Sequence, residues 1–499
     1  MKHVPLLKPC VFAVAMATAF APFAAQADDE TDFGIQVEKL LKEQSEKLFG
    51  VEKPLKTSAP ATVGAYRTPS QSAYDQVLVA NGLKVEYLTR EAANATDMMA
   101  FYPAQNPTHL VTCVEGGRQF LIDGGTPGVY DAGDKLNPSV QRINLATGAV
   151  ETILRGMSSC DGIRATAWGT VLATEERTDG GAYEIFNPLS VSEQTVIDRA
   201  SGAVTDPANV AKRAALPTMA WEGLAVLPSG VVIAGDELRP GSPANADGGA
   251  IFKFMPAMPR LVSGPIASLS ESPLASGSVY AMQVSCRDNG QQYGQGCEVG
   301  NAGWVSVNAA TARTDANAAG ATGYYRPEDL HQDPMYQDEA NSEAVRFCWT
   351  NTGNEGGKNY AEVMCGVDSA PLTASNTQRS VAVNRFVEGD TDFNSFDNLE
   401  FQPRTGNVYV IEDHPNGDIF ACLPDGMDHD IKTDGCVKIL SVKDSSAEPT
   451  GFLFDASGTT AYVSIQHSDD TNMPLVDGYR TDDVLKITGF KLKKQGWGW

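Results

Sequence analysis

One stretch of the chain combines residue types that bind metal ions. Residues 160–176 read CDGIRATAWGTVLATEE, so a cysteine beside an aspartate opens the stretch and the adjacent carboxylates Glu175 and Glu176 close it. A cysteine thiolate among oxygen ligands indicates a transition metal, whereas carboxylates alone suit calcium. Paired acids at a strand end also occur as a solvated turn, so this stretch taken alone leaves both interpretations open.

A second stretch, Arg326-Pro327-Glu328-Asp329, places a fixed cation beside two carboxylates. It is either a surface ion pair or a site where the arginine holds an anionic substrate, because the planar guanidinium matches phosphate oxygens. We predict the second arrangement, with Arg326 binding substrate and with Glu328 and Cys160 taking part in catalysis. The sequence has no H-E-x-x-H and no G-x-S-x-G pattern, which argues against histidine-based zinc hydrolases and serine hydrolases.

These side chains are far apart on the chain, so the fold must bring them together. The middle of residues 160–176 alternates like a short strand, and a strand of five or six residues separates its ends by about 17–20 Å. Other strands must therefore converge on the same place. A polar opening, a strand, a turn and a second strand recur in EGLAVLPSGVVIAGDE from Glu222, DNLEFQPRTGNVYVIEDH from Asp397 and PTGFLFDASGTTAYVSIQH from Pro449.

The spacing of these repeats predicts the fold. The opening positions Asp161, Glu222, Glu328, Asp397 and Thr450 follow one another at intervals of 61, 106, 69 and 53 in the numbering. The longest interval, from Glu222 to Glu328, leaves room for a further, diverged unit. Five visible units and a hidden one, with no long helical pattern between them, predict an all-β fold, a six-bladed β-propeller with four strands in each blade.

In a propeller the innermost strands line a central channel, so equivalent positions of the blades meet around one axis. This geometry predicts that one mouth of the channel gathers many carboxylates, which cannot all stay ionised without cations because like charges raise one another's pKa. The predicted set is Cys160, Glu175, Glu176, Glu222, Asp236, Glu328, Asp397 and Asp413.

The N-terminus has the pattern of a leader. A basic start, an apolar run and Ala25-Gln26-Ala27 predict a Sec-type secretory signal over residues 1–27, and hence a periplasmic or extracellular protein without membrane insertion. Apolar residues at helical spacing predict one amphipathic helix, followed by a linker, over residues 28–72. The propeller is predicted to span residues 73–499.

The chain is strongly acidic. Loss of Lys2 and Lys8 with the leader leaves 38 − 2 = 36 basic residues against 62 acidic ones, a net charge of −26. Such a surface repels nucleic acids and anionic membranes, so we expect neither as a partner. The acidity serves solubility, the binding of hard cations, or both.

Eight cysteines follow the leader, and six of them form close pairs that predict disulfides in an oxidising compartment. For the other two, Cys113 and Cys160, two arrangements are open. They bond to each other, or Cys113 is a buried thiol and Cys160 is free to do chemistry. The predicted pairs are Cys286 with Cys297, Cys348 with Cys365, and Cys422 with Cys436.

Five phrases, in order, resemble the PhoX-type secreted alkaline phosphatases. They are C-D-G-x(5)-W-G-T-x-L-x-x-E-E, E-G-L-A-V, Y-R-P-E-D-L, D-N-L-x-F-x-P-x-x-G-N-V-Y-V and P-T-G-F-x-F-x-x-x-G-x-x-A-Y-V-S-I-Q-H. The resemblance implies a six-bladed propeller that hydrolyses phosphate monoesters, and some diesters, at an iron and calcium cluster. We therefore expect small phosphorylated substrates and a monomer.

The resemblance also implies roles for individual residues. It places a metal-bridging cysteine at Cys160, iron-binding glutamates at Glu222 and Glu328, and a phosphate-clamping arginine at Arg326. The calcium-binding acids that it implies are Glu175, Glu176, Asp413 and Asp236.

Two other functions are compatible with the same fold. One is a calcium-dependent lactonase or phytase-like hydrolase, which would need calcium alone and be indifferent to Cys160. The other is a calcium-stabilised propeller that binds a partner without turnover, because a fold by itself does not determine function.

Overall fold

The computed structural model describes residues 33–63, 66–121, 129, 133–242, 247–284, 298–424, 435–468 and 472–492. The helices in this part of the chain are short: α1 (Phe33–Glu43), α2 (Ser45–Leu48), α3 (Ala73–Gln76) and α4 (Ala312–Ala319). None of them is long and apolar enough to cross a membrane. The predicted secretory signal lies outside the described residues.

Twenty-eight strands in the described residues form the body of the protein. The first two strands are β1 (Val77–Val79) and β2 (Lys84–Ala93). Blade 1 has β3 (Thr96–Tyr102), β4 (His109–Val114), β5 (Pro138–Asn144) and β6 (Val150–Arg155). Blade 2 begins with β7 (Cys160–Ala165), β8 (Thr170–Glu175) and β9 (Ala182–Phe186). Next come β10 (Gln194–Asp198) and β11 (Ala203–Val204), which extend blade 1, and β12 (Val210–Lys212), which completes blade 2.

The remaining blades follow in chain order. Blade 3 has β13 (Trp221–Val226), β14 (Val232–Asp236), β15 (Ile251–Pro256) and β16 (Gly277–Val284), and β17 (Gly300–Val307) follows it. Blade 4 has β18 (Pro327–Gln332), β19 (Val345–Asn351), β20 (Glu362–Asp368) and β21 (Val381–Glu388). Blade 5 has β22 (Phe396–Phe401), β23 (Val408–Glu412), β24 (Asp418–Cys422) and β25 (Cys436–Val442). Blade 6 has β26 (Glu448–Phe454), β27 (Thr460–Gln466) and β28 (Thr481–Thr488).

The first strand of each blade lies innermost, and these six strands form a closed ring. Strands β3, β7, β13, β18, β22 and β26 contact one another in this order, and β26 contacts β3. The prediction of an all-β, six-bladed propeller is therefore confirmed. Apolar side chains fill the spaces between blades, including the fully buried Trp168, Trp221, Trp304 and Trp349.

The predicted position of the hidden blade is wrong. The long interval between Glu222 and Glu328 holds the outer strands of blade 3, the extra strand β17 and α4. Strand β17 pairs with both β16 and β21, which joins blades 3 and 4 into one nine-stranded sheet. The unit that the repeats did not reveal is blade 1, which precedes the other five.

The two ends of the chain meet in blade 6. Strand β2 is the outer strand of that blade and runs antiparallel to β28, with Ala93 opposite Thr481. Strand β1 pairs with β25 at the edge of blade 5 in the same way. Helix α1 packs against this region through Leu41, which is buried with residues of blades 5 and 6.

Disulfides join adjacent strands of two blades. Cys348 and Cys365 link β19 to β20, and Cys422 and Cys436 link β24 to β25, which confirms two predicted pairs. The third predicted pair, Cys286 with Cys297, lies outside the described residues.

Candidate metal centre

Every blade begins with the same β-bulge. Where the innermost strand meets the second strand, two residues of the inner strand lie opposite one residue of its partner, so the pairing register shifts in all six blades. A bulge re-aims a side chain out of the regular alternation. The first bulged residues of blades 1 to 6 are Asp97, Asp161, Glu222, Glu328, Asp397 and Gly451.

The carboxylates at these bulges form two compact groups with one further acid. In one group, oxygens of Asp97, Glu115 and Asp161 all lie within 4.8 Å of one another. In the other, oxygens of Glu222, Glu328 and Asp397 do so. The first group belongs to blades 1 and 2 and the second to blades 3 to 5, so the two groups face the same axis from opposite sides.

A second set of acids lies beside these groups. Glu115, Glu176, Glu237 and Asp413 each directly follow the second strand of their blade, and Glu448 opens the innermost strand of blade 6. We call these five residues and the five bulge carboxylates the mouth cluster. It draws on all six blades.

Burial and mutual repulsion raise the pKa of many carboxyls in the mouth cluster. Burial is the larger cause and neighbouring carboxylates add to it for Asp97, with a pKa of about 8, Glu448, about 9, and Glu176, about 11. The same two causes raise the pKa of Asp161 and Glu222 well above the usual range. The raised pKa values favour the protonated forms of these carboxyls when no cation is bound, whereas bound cations would allow them to ionise.

Arg326 directly precedes the inner strand of blade 4 and is 15% exposed. Its Nε donates to Glu237 at 2.6 Å and its Nη2 lies 2.7 Å from Glu328. The contact of Nη1 with Asp413 is longer, at 3.4 Å. The guanidinium therefore stands among the carboxylates of the mouth cluster, and its backbone adopts the left-handed φ of 57° that holds it there.

The comparisons with known proteins agree with this fold. The family model described as "Alkaline phosphatase PhoX" matches residues 244–469. The predicted resemblance to the PhoX family is confirmed. The solved structure of Pseudomonas fluorescens PhoX in complex with vanadate, a transition state analogue, matches 89% of this chain and 98% of that chain, at 15% identity and a TM-score of 0.52.

A second solved structure is less similar. It is that of XC5397 from Xanthomonas campestris, a gluconolactonase, with 12% identity over 87% of this chain and 98% of that chain and a TM-score of 0.37. No curated protein matches this chain. The likeness to Pseudomonas fluorescens PhoX concerns the fold, and the chemistry must be argued from the side chains present here.

The residues of the mouth cluster fit hard cations. All the candidate ligands are carboxylate oxygens, which calcium prefers. Asp161 Oδ1 is buried and has no hydrogen-bond partner among the described residues, so an oxygen lone pair remains for an ion. Arg326 alone does not balance ten carboxylates. The acidic groups of this site can therefore hold metal ions.

The structure places Cys160 differently from the predicted metal-bridging thiolate. Cys160 is joined to Cys113 of the second strand of blade 1 in a disulfide, which leaves it no free thiolate for a metal. The disulfide instead connects blades 1 and 2 next to Glu115 and Asp161. Of the two arrangements that the sequence left open for these cysteines, the structure has the bonded one.

Glu175 and Asp236 have another role than the predicted ligation. Each ends the second strand of its blade and is buried in an ion pair. Arg199 donates to both oxygens of Glu175, at 2.7 and 3.0 Å, and the backbone of Ser158 and Gly181 donates as well. These four contacts occupy the lone pairs that a metal would need.

Asp236 is held in the same manner. Arg313 donates to it through Nε and Nη2, at 2.5–2.9 Å, and the backbone N–H of Ala220 lies 3.1 Å away. The acids that follow these two residues directly, Glu176 and Glu237, are the members of the mouth cluster.

Several members of the mouth cluster escaped the sequence analysis. Asp97 and Glu115 were missed because blade 1 was not recognised, although the interval from Asp97 to Asp161 falls within the range of the other repeat spacings. Thr450, taken as an opening position, directly precedes the true equivalent, Gly451.

Proposed function

We propose that this protein is an exported, metal-dependent alkaline phosphatase that hydrolyses phosphate monoesters and some diesters. The observation that carries the proposal is the ring of carboxylates at the bulges of blades 1 to 5, four of them buried and Asp397 half-buried, with Arg326 set among them. Such a ring concentrates cations at a single mouth, and the arginine supplies a fixed positive donor for an anionic ester.

The two compact groups are the proposed ligand sets. Asp97, Glu115 and Asp161 would hold one ion, and Glu222, Glu328 and Asp397 another, with Glu176 and Asp413 at their margins. When bound, a metal ion polarises phosphoryl oxygens and supplies an oxygen nucleophile, so that no protein nucleophile is needed. Calcium is proposed from the all-oxygen donors. Iron is proposed from the family resemblance alone, because the thiolate that favoured it is absent.

Arg326 would bind the phosphoryl group. Glu237 and Glu328 fix the orientation of its guanidinium through Nε and Nη2. The long contact of Nη1 with Asp413 leaves donors for the oxygens of a substrate, and a guanidinium binds such oxygens in a bidentate manner. Charge that develops on the phosphoryl oxygens during transfer is then stabilised by a donor that does not need to reorganise.

The cation also favours a phosphatase over the two alternatives. A lactone is neutral and gains little from a guanidinium, whereas a phosphate ester in an acidic mouth needs one. A propeller stabilised by calcium without turnover would require no arginine in contact with candidate metal ligands. We further propose export through the Sec-type leader to an oxidising compartment, where the disulfides would form, and a monomeric state.

The test is hydrolysis of p-nitrophenyl phosphate at alkaline pH, with calcium, after chelation and after calcium is restored. We expect turnover that disappears with chelation, and a loss of about 100-fold or more in Glu328→Gln. Glu339→Gln is the matched control, because Glu339 is exposed in the connection between β18 and β19, at the other end of the inner strand. Full activity after chelation, or in Glu328→Gln, would refute the proposal.

Iron has its own test. Elemental analysis and the visible absorption of the purified protein separate an iron-containing centre, which is coloured, from a colourless calcium-only one. Active protein without iron would remove iron from the proposal and leave calcium in place.

A further inference from the structure

A cavity of about 530 Å³ opens beside the mouth cluster, between the loops that follow β8 and β14. Its lining includes Glu176 and Glu237, which belong to the mouth cluster, and the guanidinium-bearing residues Arg177, Arg239 and Arg313. A substrate whose phosphoryl group lies at the mouth cluster can therefore extend its alcohol part into this cavity.

The two loops carry the same order of residues: a buried acid paired with an arginine, an acid of the mouth cluster, and then an exposed arginine. After β8, the buried Glu175 is fixed by Arg199, Glu176 joins the mouth cluster, and Arg177 comes next. After β14, the buried Asp236 is fixed by Arg313, Glu237 joins the mouth cluster, and Arg239 follows shortly after it.

A β-bridge and backbone hydrogen bonds hold both loops in place. Glu176 forms a β-bridge with Ala220, which links the end of blade 2 to the start of blade 3. Glu237 N–H donates to the carbonyl of Ala220 at 3.0 Å, and Arg177 N–H donates to the carbonyl of Glu175 at 3.0 Å. The positions of Arg177 and Arg239 at the rim are thus fixed by the same residues that shape the mouth.

Arg177 and Arg239 differ from the other arginines near the mouth. Both side chains are exposed, and neither forms an ion pair with any residue that the structure describes. Arg199, Arg313 and Arg326, by contrast, are all paired with carboxylates. Arg177 and Arg239 thus stand at the rim of an acidic mouth outside any ion pair with the described residues, in a chain of net charge −24. Their N–H donors are available to a bound anion.

We propose that Arg177 and Arg239 form a subsite for a second anionic group of the substrate. The preferred substrates are then phosphate monoesters whose alcohol part carries a carboxylate or another phosphate. This inference rests on the proposed phosphatase function and adds specificity to it. The subsite favours doubly anionic esters over esters of neutral alcohols, because its guanidinium groups bind an anion. The planar guanidinium matches the oxygens of a carboxylate and of a phosphate, so either group can be the second anion.

The test compares two substrates that differ by one group. 3-Phosphoglycerate carries a carboxylate where glycerol 3-phosphate carries a hydroxymethyl group. We expect wild-type protein to have the higher kcat/KM for 3-phosphoglycerate, and the ratio of the two kcat/KM values to fall about tenfold in Arg177→Gln and in Arg239→Gln. Arg404→Gln is the control for the change in charge, since Arg404 is exposed in the turn between β22 and β23, at the opposite end of the strands from the mouth.

An unchanged ratio in both rim variants, or a wild-type protein without preference, would overturn the subsite. If neither substrate is hydrolysed by wild-type protein, the phosphatase proposal fails while the subsite is still tested by calorimetric titration with the same two compounds. Tighter binding of 3-phosphoglycerate that both rim variants lose and Arg404→Gln keeps would support the subsite. Equal binding of the two compounds would refute it.

Discussion

At the scale of single residues, the ring of bulge carboxylates is interrupted at Gly451. This residue has a φ of +60°, and a Cβ atom there would lie 2.5 Å from the backbone oxygen of Asp97. No carboxylate can therefore replace it without moving blade 1. Blade 6 contributes Glu448 from the start of the same strand instead, and Thr450 donates its hydroxyl to Asp97. The absence of one ring carboxylate makes the mouth asymmetric.

The disulfide between Cys113 and Cys160 gives a prediction at this scale. Peptide mapping without reduction, after alkylation of free thiols, should recover the two cysteines in one cross-linked peptide pair. Reduction should release both, and Cys113→Ser should lower the free energy of unfolding by about 2–4 kcal/mol because the cross-link restricts the unfolded chain. Because both cysteines are buried, alkylation is carried out in denaturant without reductant, and alkylated Cys160 would then show a free thiol and contradict the structure.

The sequence analysis expected some residues at the mouth where the structure has them and misplaced others, and each outcome has a physical reason. Glu222, Glu328 and Asp397 open repeats, and the repeated bulge brings such positions together whatever the blade. Glu175 and Glu176 are neighbours of the same type, and only the position of Arg199, which lies beyond the next two strands, decides which of them is neutralised. That partner cannot be read from the local pattern. The roles of Asp236 and Glu237 depend on Arg313 in the same way.

At the scale of elements, the segment before α3 is fixed to blade 6 by a buried ion pair. Arg67 donates to Asp483 of β28 through Nε at 3.0 Å and Nη2 at 2.5 Å, and both side chains are fully buried. Arg90 of β2 donates to Asp483 as well. The aspartate thus connects the residues that precede the propeller with two strands of its last blade.

Removal of this charge should destabilise the protein in a pH-dependent way. Asp483→Asn removes the carboxylate that pairs with the buried Arg67, which we expect to lower the free energy of unfolding at pH 7 by about 3–5 kcal/mol. Burial alone raises the pKa of Asp483, but hydrogen bonds and charge from Arg67 and Arg90 outweigh it and hold the pKa below its usual value.

The depressed pKa sets the sign of the pH dependence. A carboxyl of this kind stabilises the folded state above its unfolded pKa of about 3.9, and the contribution is lost as the pH falls through the folded pKa. Denaturant titrations at several pH values should therefore show the full difference from wild type at pH 7 and a shrinking one below about pH 4. Asp392→Asn, at an exposed site, is the control. A difference that is constant over this range would contradict the assignment.

The repeats predicted the number of blades but not their positions. Blade 1 lacks the phrases by which the other units were recognised, because a long connection between its second and third strands, from Glu115 to Asn137, hides the hairpin spacing. Strand β17 has no counterpart in the other blades, so nothing in a repeat could place it. Strand alternation and turns are local and could be predicted, whereas the pairing of β17 and β2 depends on contacts distant in sequence.

At the scale of the whole molecule, the mouth cluster connects metal binding to the stability of the propeller. Six blades place carboxylates at one mouth. Without cations these carboxyls either repel one another or must take up protons on folding, and both effects oppose ring closure. Calcium that binds the folded ring and not the unfolded chain should stabilise it, by about 2.7 kcal/mol when the free ion is at 100 times its dissociation constant. We expect Tm to rise with calcium and to fall on chelation.

A double variant tests whether the stabilising ions bind at this mouth. Asp161→Asn with Asp397→Asn removes one ionisable ligand from each compact group. Its Tm should respond much less to calcium. In chelator its Tm should lie at or above that of wild type, because two carboxyls that cost free energy through repulsion or proton uptake on folding are gone. A calcium response as large as that of wild type would place the stabilising ions elsewhere.

The pairing of β2 with β28 also determines how long β2 stays unpaired while the chain is being synthesised. Ala93 and Thr481 lie opposite each other, although most of the polypeptide separates them on the chain. A ribosome that adds about 5–20 residues per second needs roughly 20–80 s to deliver the intervening segment. Throughout that time the hydrogen-bonding edge of β2 has no strand of blade 6 beside it, and such an edge can recruit another chain. The unfinished polypeptide, rather than the closed propeller, is therefore the form in which this edge is open to another chain.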